Sequence, residues 1–426
     1  MGISLSYGQA TISPAAPQSK PVIITGGTIH IGNGQVINSG YVAFDKGKIT
    51  AVGEGAAPVI TGAEIIDATG KQVYPGFICP ITALGLVEIE EGARGTVDDE
   101  ETGELNPDVR SIIAYNTDSK VIPTIRSNGI LLAQPTPAGG VVSGESSVVQ
   151  LDAWNWEDAA YKTDIGIHLT WPVARAQGRR RFIATPGPGQ ESPAERAQKA
   201  IDGIEKLFAE AKAYSEIAKP EVINLRLEAM KGLFNGSKKL FVNAEGAKEI
   251  VQAVTFAKKF GISAVIVGGN ESYLVAGVLK DNNVPVILKE TQRVPDKDED
   301  DVFLPYKLPK MLQDAGVLYG LTGTGFWRQR NLPFEAGQAV GYGLTKEQAL
   351  SMITINNAKI LGIDKTTGTL ETGKDANLFI STGDALDMIT INVQTAFIQG
   401  RNINLDNLHK QLYRKFSAKY GIKANL

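Results

Sequence analysis

The stretch Tyr74-Pro75-Gly76-Phe77-Ile78-Cys79-Pro80-Ile81-Thr82-Ala83-Leu84-Gly85 decides the fold. It reads as a strand leaving a small β-rich region and entering a longer one of different character. On its N-terminal side, short β-rich runs at residues 22–29, 40–49 and 64–71 alternate with glycine turns, and Asp45-Lys46-Gly47-Lys48 is a tight-turn signal between two apolar strands. A matching set recurs near the far end, at residues 368–380 and 393–403. Two β-rich ends around a long middle imply a discontinuous β-domain built from both termini.

The middle alternates buried-strand runs with helical patterns, which predicts parallel strands joined by crossover helices. Strand candidates lie at residues 129–134, 239–245, 263–269, 284–288 and 316–321. Between them, residues 247–260 place Ile250, Val251, Val254, Phe256 and Ala257 on a helical period, with Lys258 and Lys259 toward solvent and Gly261 closing the helix. Thr345-Lys346-Glu347-Gln348 carries a capping-box pattern and opens a second helix that runs to Leu361. Nearly three hundred residues suit one (β/α)8 barrel of ~250 residues with insertions. The expected division is residues 1–20 as a disordered N-terminal segment, 21–75 with 365–404 as a composite β-sandwich, 76–364 as a TIM barrel, and 405–426 as a C-terminal helix. In that helix Leu405, Leu408, Leu412 and Phe416 share one face, expected to pack on the barrel.

Composition narrows the class. A chain of 426 residues, 43% hydrophobic and 21% charged, is an ordinary globular protein. A net charge of −3 offers no footprint for nucleic acid, and the run Arg179-Arg180-Arg181 is too short to create one. No segment is long and apolar enough to span a membrane. One cysteine excludes an internal disulfide and leaves the redox compartment open. The portion Ser6-Tyr7-Gly8-Gln9-Ala10 is similar to the tail of a secretory signal without its basic and apolar regions, which leans localisation toward export to the periplasm rather than the cytoplasm.

Two stretches carry a family resemblance. Lys71-Gln72-Val73-Tyr74-Pro75-Gly76-Phe77-Ile78 resembles the entry to the amidohydrolase barrel. The tail from Leu344 through Thr354-Ile355-Asn356-Asn357-Ala358-Lys359-Ile360-Leu361-Gly362, followed by Gly368-Thr369-Leu370-Glu371-Thr372-Gly373-Lys374-Asp375-Ala376-Asn377-Leu378, is similar to that superfamily's C-terminal signature. The resemblance covers nearly the whole chain and is strongest to the imidazolonepropionase-like group. It implies a barrel enzyme in which one or two divalent metals lower the pKa of bound water to about 7 for attack on a non-peptide C–N bond.

The same resemblance locates the metal ligands, and this chain departs from it at each position. The first-strand His-x-His falls on Ile81 and Ala83, with Cys79 where an aspartate precedes it. The fourth-strand lysine falls on His168, the fifth-strand histidine on Asn243, the sixth-strand histidine on Gly268, and the eighth-strand aspartate on Thr324. The only histidines are His30, His168 and His409, and two of them lie outside the barrel. The expectation is that the metal centre is lost and no cofactor is held, apart from weak Mg or Ca binding by carboxylates such as Glu88, Glu90, Glu145 and Glu245.

The remaining candidates each have a plain reading beside a functional one. A lone histidine on an apolar run, as His168 is, more often satisfies a local acceptor than binds metal. Cys79 reads as a small buried residue. Asn243 and Glu245, two apart at a strand end, point together toward the barrel mouth or cap it structurally. Trp154, Trp156 and Trp171 beside the fourth strand, and Trp327 with Arg328 after the eighth, line a ligand pocket or pack loops. Acidic residues 91–104 and 296–301 read as solvated loops or lids.

Three functions compete. The chain is a divergent amidohydrolase acting as a ligand-binding or partner subunit, a hydrolase of cyclic amides with a rearranged site built from His168, Asn243, Glu245 and Thr324, or a structural assembly protein with a filled mouth. The sequence favours the first. Its expected partners are a small-molecule ligand and a second copy or an active paralogue, with neither nucleic acid nor membrane.

Overall fold

The computed structural model describes residues 12–89, 95–173 and 191–423. The signal-like residues 6–10, Glu90 and the run Arg179-Arg180-Arg181 lie outside them. Glycine turns divide the N-terminal region into β1 (Val22–His30), β2 (Val36–Asp45), β3 (Lys48–Glu54), β4 (Glu64–Asp67) and β5 (Gln72–Pro75). The middle contributes β6 (Phe77–Thr82), β7 (Ile130–Pro135), β8 (Val142–Gln150), β9 (Ala160–Thr170), β10 (Lys239–Ala244), β11 (Ala264–Gly268), β12 (Val286–Leu288) and β13 (Tyr319–Leu321). The C-terminal region adds β14 (Leu378–Ser381), β15 (Val393–Ile398) and β16 (Arg401–Asn402).

Both ends of the chain build one sheet, in the order β16-β15-β14-β5-β1-β2-β3, with β4 also paired to β1. Antiparallel pairing of β14 with β5, Leu378 opposite Pro75, joins the C-terminal half to the N-terminal half. Phe44 from β2 meets Phe397 from β15 edge-on at 4.9 Å, within a cluster that also buries Ile24, Ile29, Val42 and Val73. Each fully buried side chain of this size contributes roughly 1.5–3 kcal/mol relative to exposure, so the two halves hold one another in place.

The second sheet runs β13-β12-β11-β10-β9-β8-β7-β6 and curls toward a barrel. Seven strands run the same way. β8 is antiparallel to both neighbours, which departs from the all-parallel alternation the sequence predicts. The interior is filled by a cluster containing Ile78, Leu132, Phe241, Val265, Val267 and Ile287, while alternate residues such as Leu240, Val242, Ile266 and Val286 belong to the cluster beneath the helices.

No ladder joins β13 to β6 among the described residues; side chains close the seam instead. Asn357 Nδ2 donates to Ile78 O at 2.8 Å and to Leu321 O at 3.0 Å, clasping both strands. Thr322 Oγ1 donates to Ile81 O at 2.6 Å, and the amide of Ala83 to Gly325 O at 3.2 Å. Gly320 makes room for this clasp, because a Cβ there would stand 1.9 Å from Asn357 Oδ1.

Two helices differ from expectation. The segment after Thr345 is capped as predicted, but it breaks at Thr354 into Lys346–Ile353 and Ile355–Leu361. The break lets Asn356 donate to Tyr319 O and Asn357 reach the seam. The C-terminal helix Leu408–Tyr420 does not bury its apolar face: Leu408, Leu412 and Phe416 are 55%, 41% and 46% exposed, and only Ser417 is buried. Its N-terminal anchors turn the helix the other way, since Asn407 bonds Ser127 and His409 packs edge-on to Trp327.

Candidate functional site at the barrel mouth

The seam positions come first, because strand order puts them where the sequence resemblance expects metal. Cys79 is buried, its thiol 2.8 Å from Gln329 Oε1 and 3.6 Å from Thr322 Oγ1, and burial pushes its pKa up to about 12. Gln329, fully buried at the start of the turn Arg328–Asn331, also donates to Gly323 O and Gly325 O. Ile81 packs toward the barrel interior, and Ala83 packs against the core under the helices. This corner of the mouth is a hydrogen-bonded plug in which no carboxylate or imidazole takes part.

His168 sits deeper. Its Nε2 lies 2.7 Å from Ser146 Oγ, and Ser146 in turn accepts from Gln134 Nε2 at 2.6 Å. The Ser146 hydroxyl can accept from the amide and still either donate to a bare Nε2 or accept from a protonated one, and in both arrangements the imidazole is neutral. Burial drives its pKa down to about 3, and its ring stacks on Phe241 at 4.9 Å. Both His168 and Ser146 are buried. A Ser–His contact of this kind resembles an activated nucleophile, but here it is sealed inside the barrel.

The other candidates separate from it. Asn243, half-buried at the end of β10, accepts at its carbonyl from Trp171 N. Glu245 pairs with Lys289, Nζ to Oε1 2.5 Å, and its other oxygen accepts from the amide of Asn270. Gly268 has φ +98°, and a Cβ there would stand 2.4 Å from both Glu245 carboxylate oxygens. The Glu245 carboxylate thus occupies the space into which any side chain at 268 would project. Thr324 gives its amide, at 3.0 Å, and its hydroxyl to Glu290, a buried acid that Arg328 approaches at 3.7 Å.

The aromatic residues scatter. Trp171 points away from the mouth, its Nε1 bonding Gln252 and its ring meeting Phe256 of helix Ala247–Phe260. Trp327 packs on the core, Trp156 does likewise, and Trp154 is 67% exposed. Among the carboxylates offered as weak cation ligands, Glu88 bonds Asn116 and Ser119, Glu145 pairs with Lys238 at 2.7 Å, and Glu245 holds Lys289. Among the described residues, no three His, Cys, Asp or Glu side chains converge where a metal ion could sit.

Residues 296–300 do reach the mouth. They close over a cavity of about 540 Å³ whose walls include Glu245, Asn270, Glu271 and Arg293. Arg293 donates to Asn270 and Asp296, and Lys297 pairs with Glu271, so the cavity is lined by opposed charges. Lys289, Glu290 and Arg293 escape the sequence reading. Lys289 and Glu290 follow directly on a recognised strand, and that adjacency was the available signal.

Comparison with known proteins places this architecture. A family model described as the amidohydrolase family matches residues 323–403. An imidazolonepropionase from Rhizobium rhizogenes is 24% identical over 387 residues, 82% of this chain and 88% of that protein. Together these matches support the amidohydrolase superfamily for this chain. A second imidazolonepropionase, from Mesorhizobium japonicum, is 25% identical over 81% of this chain and 87% of its own length, so the likeness to the imidazolonepropionase-like group within the superfamily spans both sheets. An amidohydrolase from Thermotoga maritima superposes with TM-score 0.74 at 23% identity, covering 89% of this chain and 99% of that one, which confirms the fold.

Proposed function

We propose that this protein is a superfamily member without metal-dependent hydrolysis, which binds a small charged molecule in the cavity at the barrel mouth or serves as the partner of an active relative. One observation carries the reading: the Glu245–Lys289 pair takes up the space beside Gly268, where the resemblance expects a metal-binding histidine. The rest of the donor set does not fit a metal either. Ile81 and Ala83 have no lone pair, Thr324 is committed to Glu290, and His168 is sealed against Ser146. Opposed charges on the cavity wall suit a ligand that itself carries polar or charged groups.

The relatives are named imidazolonepropionases, which makes hydrolysis of a cyclic amide the rival reading. Elemental analysis after dialysis, repeated after challenge with Zn, Mn and Fe and accompanied by a cyclic-amide hydrolysis assay, separates the two. The proposal expects no tightly held metal and no turnover. Near-stoichiometric metal with turnover would overturn it.

A further inference from the structure

Two surface features have no role in the site. The helix Leu408–Tyr420 exposes Leu408, Leu412, Phe416 and Tyr420 at i+4 spacing, an apolar stripe of about 18 Å. Lys410, Arg414, Lys415 and Lys419 flank it, and the helix contains no acid, in a chain whose net charge is −3. Among the described residues, no carboxylate forms an ion pair with Lys415 or Lys419, which lie over the rings of Phe416 and Tyr420. The second feature is the acidic stretch that follows the Val87–Val97 bridge, Asp98-Asp99-Glu100-Glu101-Thr102-Gly103-Glu104. Before it, Ile89 and Val97 are exposed. No lysine or arginine of the described residues bridges to Asp98, Glu100, Glu101 or Glu104.

Both features hang from one segment. Glu88 at the base of the acidic stretch is held by Asn116 and Ser119. Thr117 donates to the carbonyl of Trp154, whose exposed ring adds to the apolar surface. Ser127, at the other end of the segment, is bonded by Asn407 at the start of the C-terminal helix. An apolar–basic patch and an apolar–acidic patch therefore flank residues 116–127.

We infer that this face is the interface with a second copy of the chain, the C-terminal helix of each protomer lying against the acidic stretch of the other. A two-fold axis near residues 116–127 would form the contact twice, as an isologous dimer requires. Helix against helix is disfavoured, because Lys410, Lys415 and Lys419 would meet their own copies, Arg414 alone being paired, with Asp406 at 2.7 Å. Helix against acidic stretch matches both charge and apolar surface, and leaves Trp154 as a central anchor of the kind that dominates interfaces.

The test is sedimentation velocity on the full chain over a concentration series at low and high salt. The wild type should be a dimer that salt weakens. Lys415→Glu with Lys419→Glu should weaken dimerisation by roughly tenfold or more, and adding Asp98→Lys and Glu101→Lys in the same chain should restore it. Such rescue cannot come from a merely destabilised helix. A wild type that stays monomeric at all concentrations would overturn the inference, as would a dimer indifferent to both charge reversals. A monomer whose helix instead binds phosphatidylglycerol vesicles would overturn it in favour of a lipid surface.

Discussion

Acidification should destabilise this protein through His168 by an amount that can be isolated. Burial lowers the folded-state pKa of His168 from 6.5 to about 3. The unfolded chain therefore binds a proton that the native state refuses throughout the window between these values, and the stability present above pH 6.5 is lost as pH falls toward 3. Each unit costs about 1.4 kcal/mol, so two units below the unfolded value, near pH 4.5, the loss from this group alone approaches ~2.7 kcal/mol. Acidification acts on the rest of the chain as well, and a difference measurement removes that background. Urea unfolding followed by tryptophan fluorescence would be run at neutral pH and near pH 4.5 on wild type and on His168→Gln. Glutamine keeps an acceptor for Ser146 and does not titrate. The wild type should lose about 2–3 kcal/mol more than the variant on acidification. Equal losses would refute the account of His168 as a buried neutral imidazole, and with it the sealed Ser146–His168 contact.

The mouth yields two further expectations. Gly268→Ala should destabilise the protein by about 1–3 kcal/mol from the left-handed backbone alone, and more from the contact with Glu245; thermal unfolding reads it, and an unchanged midpoint would show that Glu245 does not fill that space. Cys79 should resist iodoacetamide at pH 8 in the native protein and react fully in denaturant, because burial holds its thiol protonated up to about pH 12; rapid native labelling followed by mass spectrometry would contradict the plug at the seam.

The parts of the fold that repeat a simple period are legible in the sequence. Val265, Ile266 and Val267 form an unbroken apolar run, and Ile250, Val254 and Ala257 a helical one, so strand and helix follow directly. β8 escapes for a physical reason. Its residues Ser143, Glu145, Ser146 and Ser147 are all buried, so polar side chains stand at interior positions and neither alternation nor an apolar run appears. Their partners are remote in the chain: Lys238 for Glu145, Gln134 and His168 for Ser146. The same limit applies at the mouth, where Ile81 and Ala83 mark the departure from a metal site but Lys289, which pairs with Glu245, and Glu290, which accepts from Thr324, announce themselves only in three dimensions. The outward turn of the C-terminal helix likewise depends on where Asn407 and His409 are anchored.

The clasped seam bears on how the chain reaches its native state. Asn357 holds Ile78 across 279 residues, and Gln329 meets Cys79 across 250. Closing loops of that length carries an entropic cost that grows slowly with length but must be met before the clasp returns anything. During synthesis, β6 is made early and waits with an open edge until residue 357 has left the ribosome. β7 can pair with one side of β6 well before that, so it is the outer edge of the first barrel strand that is secured last, and the interval before closure is when that edge is most open to pairing with another chain.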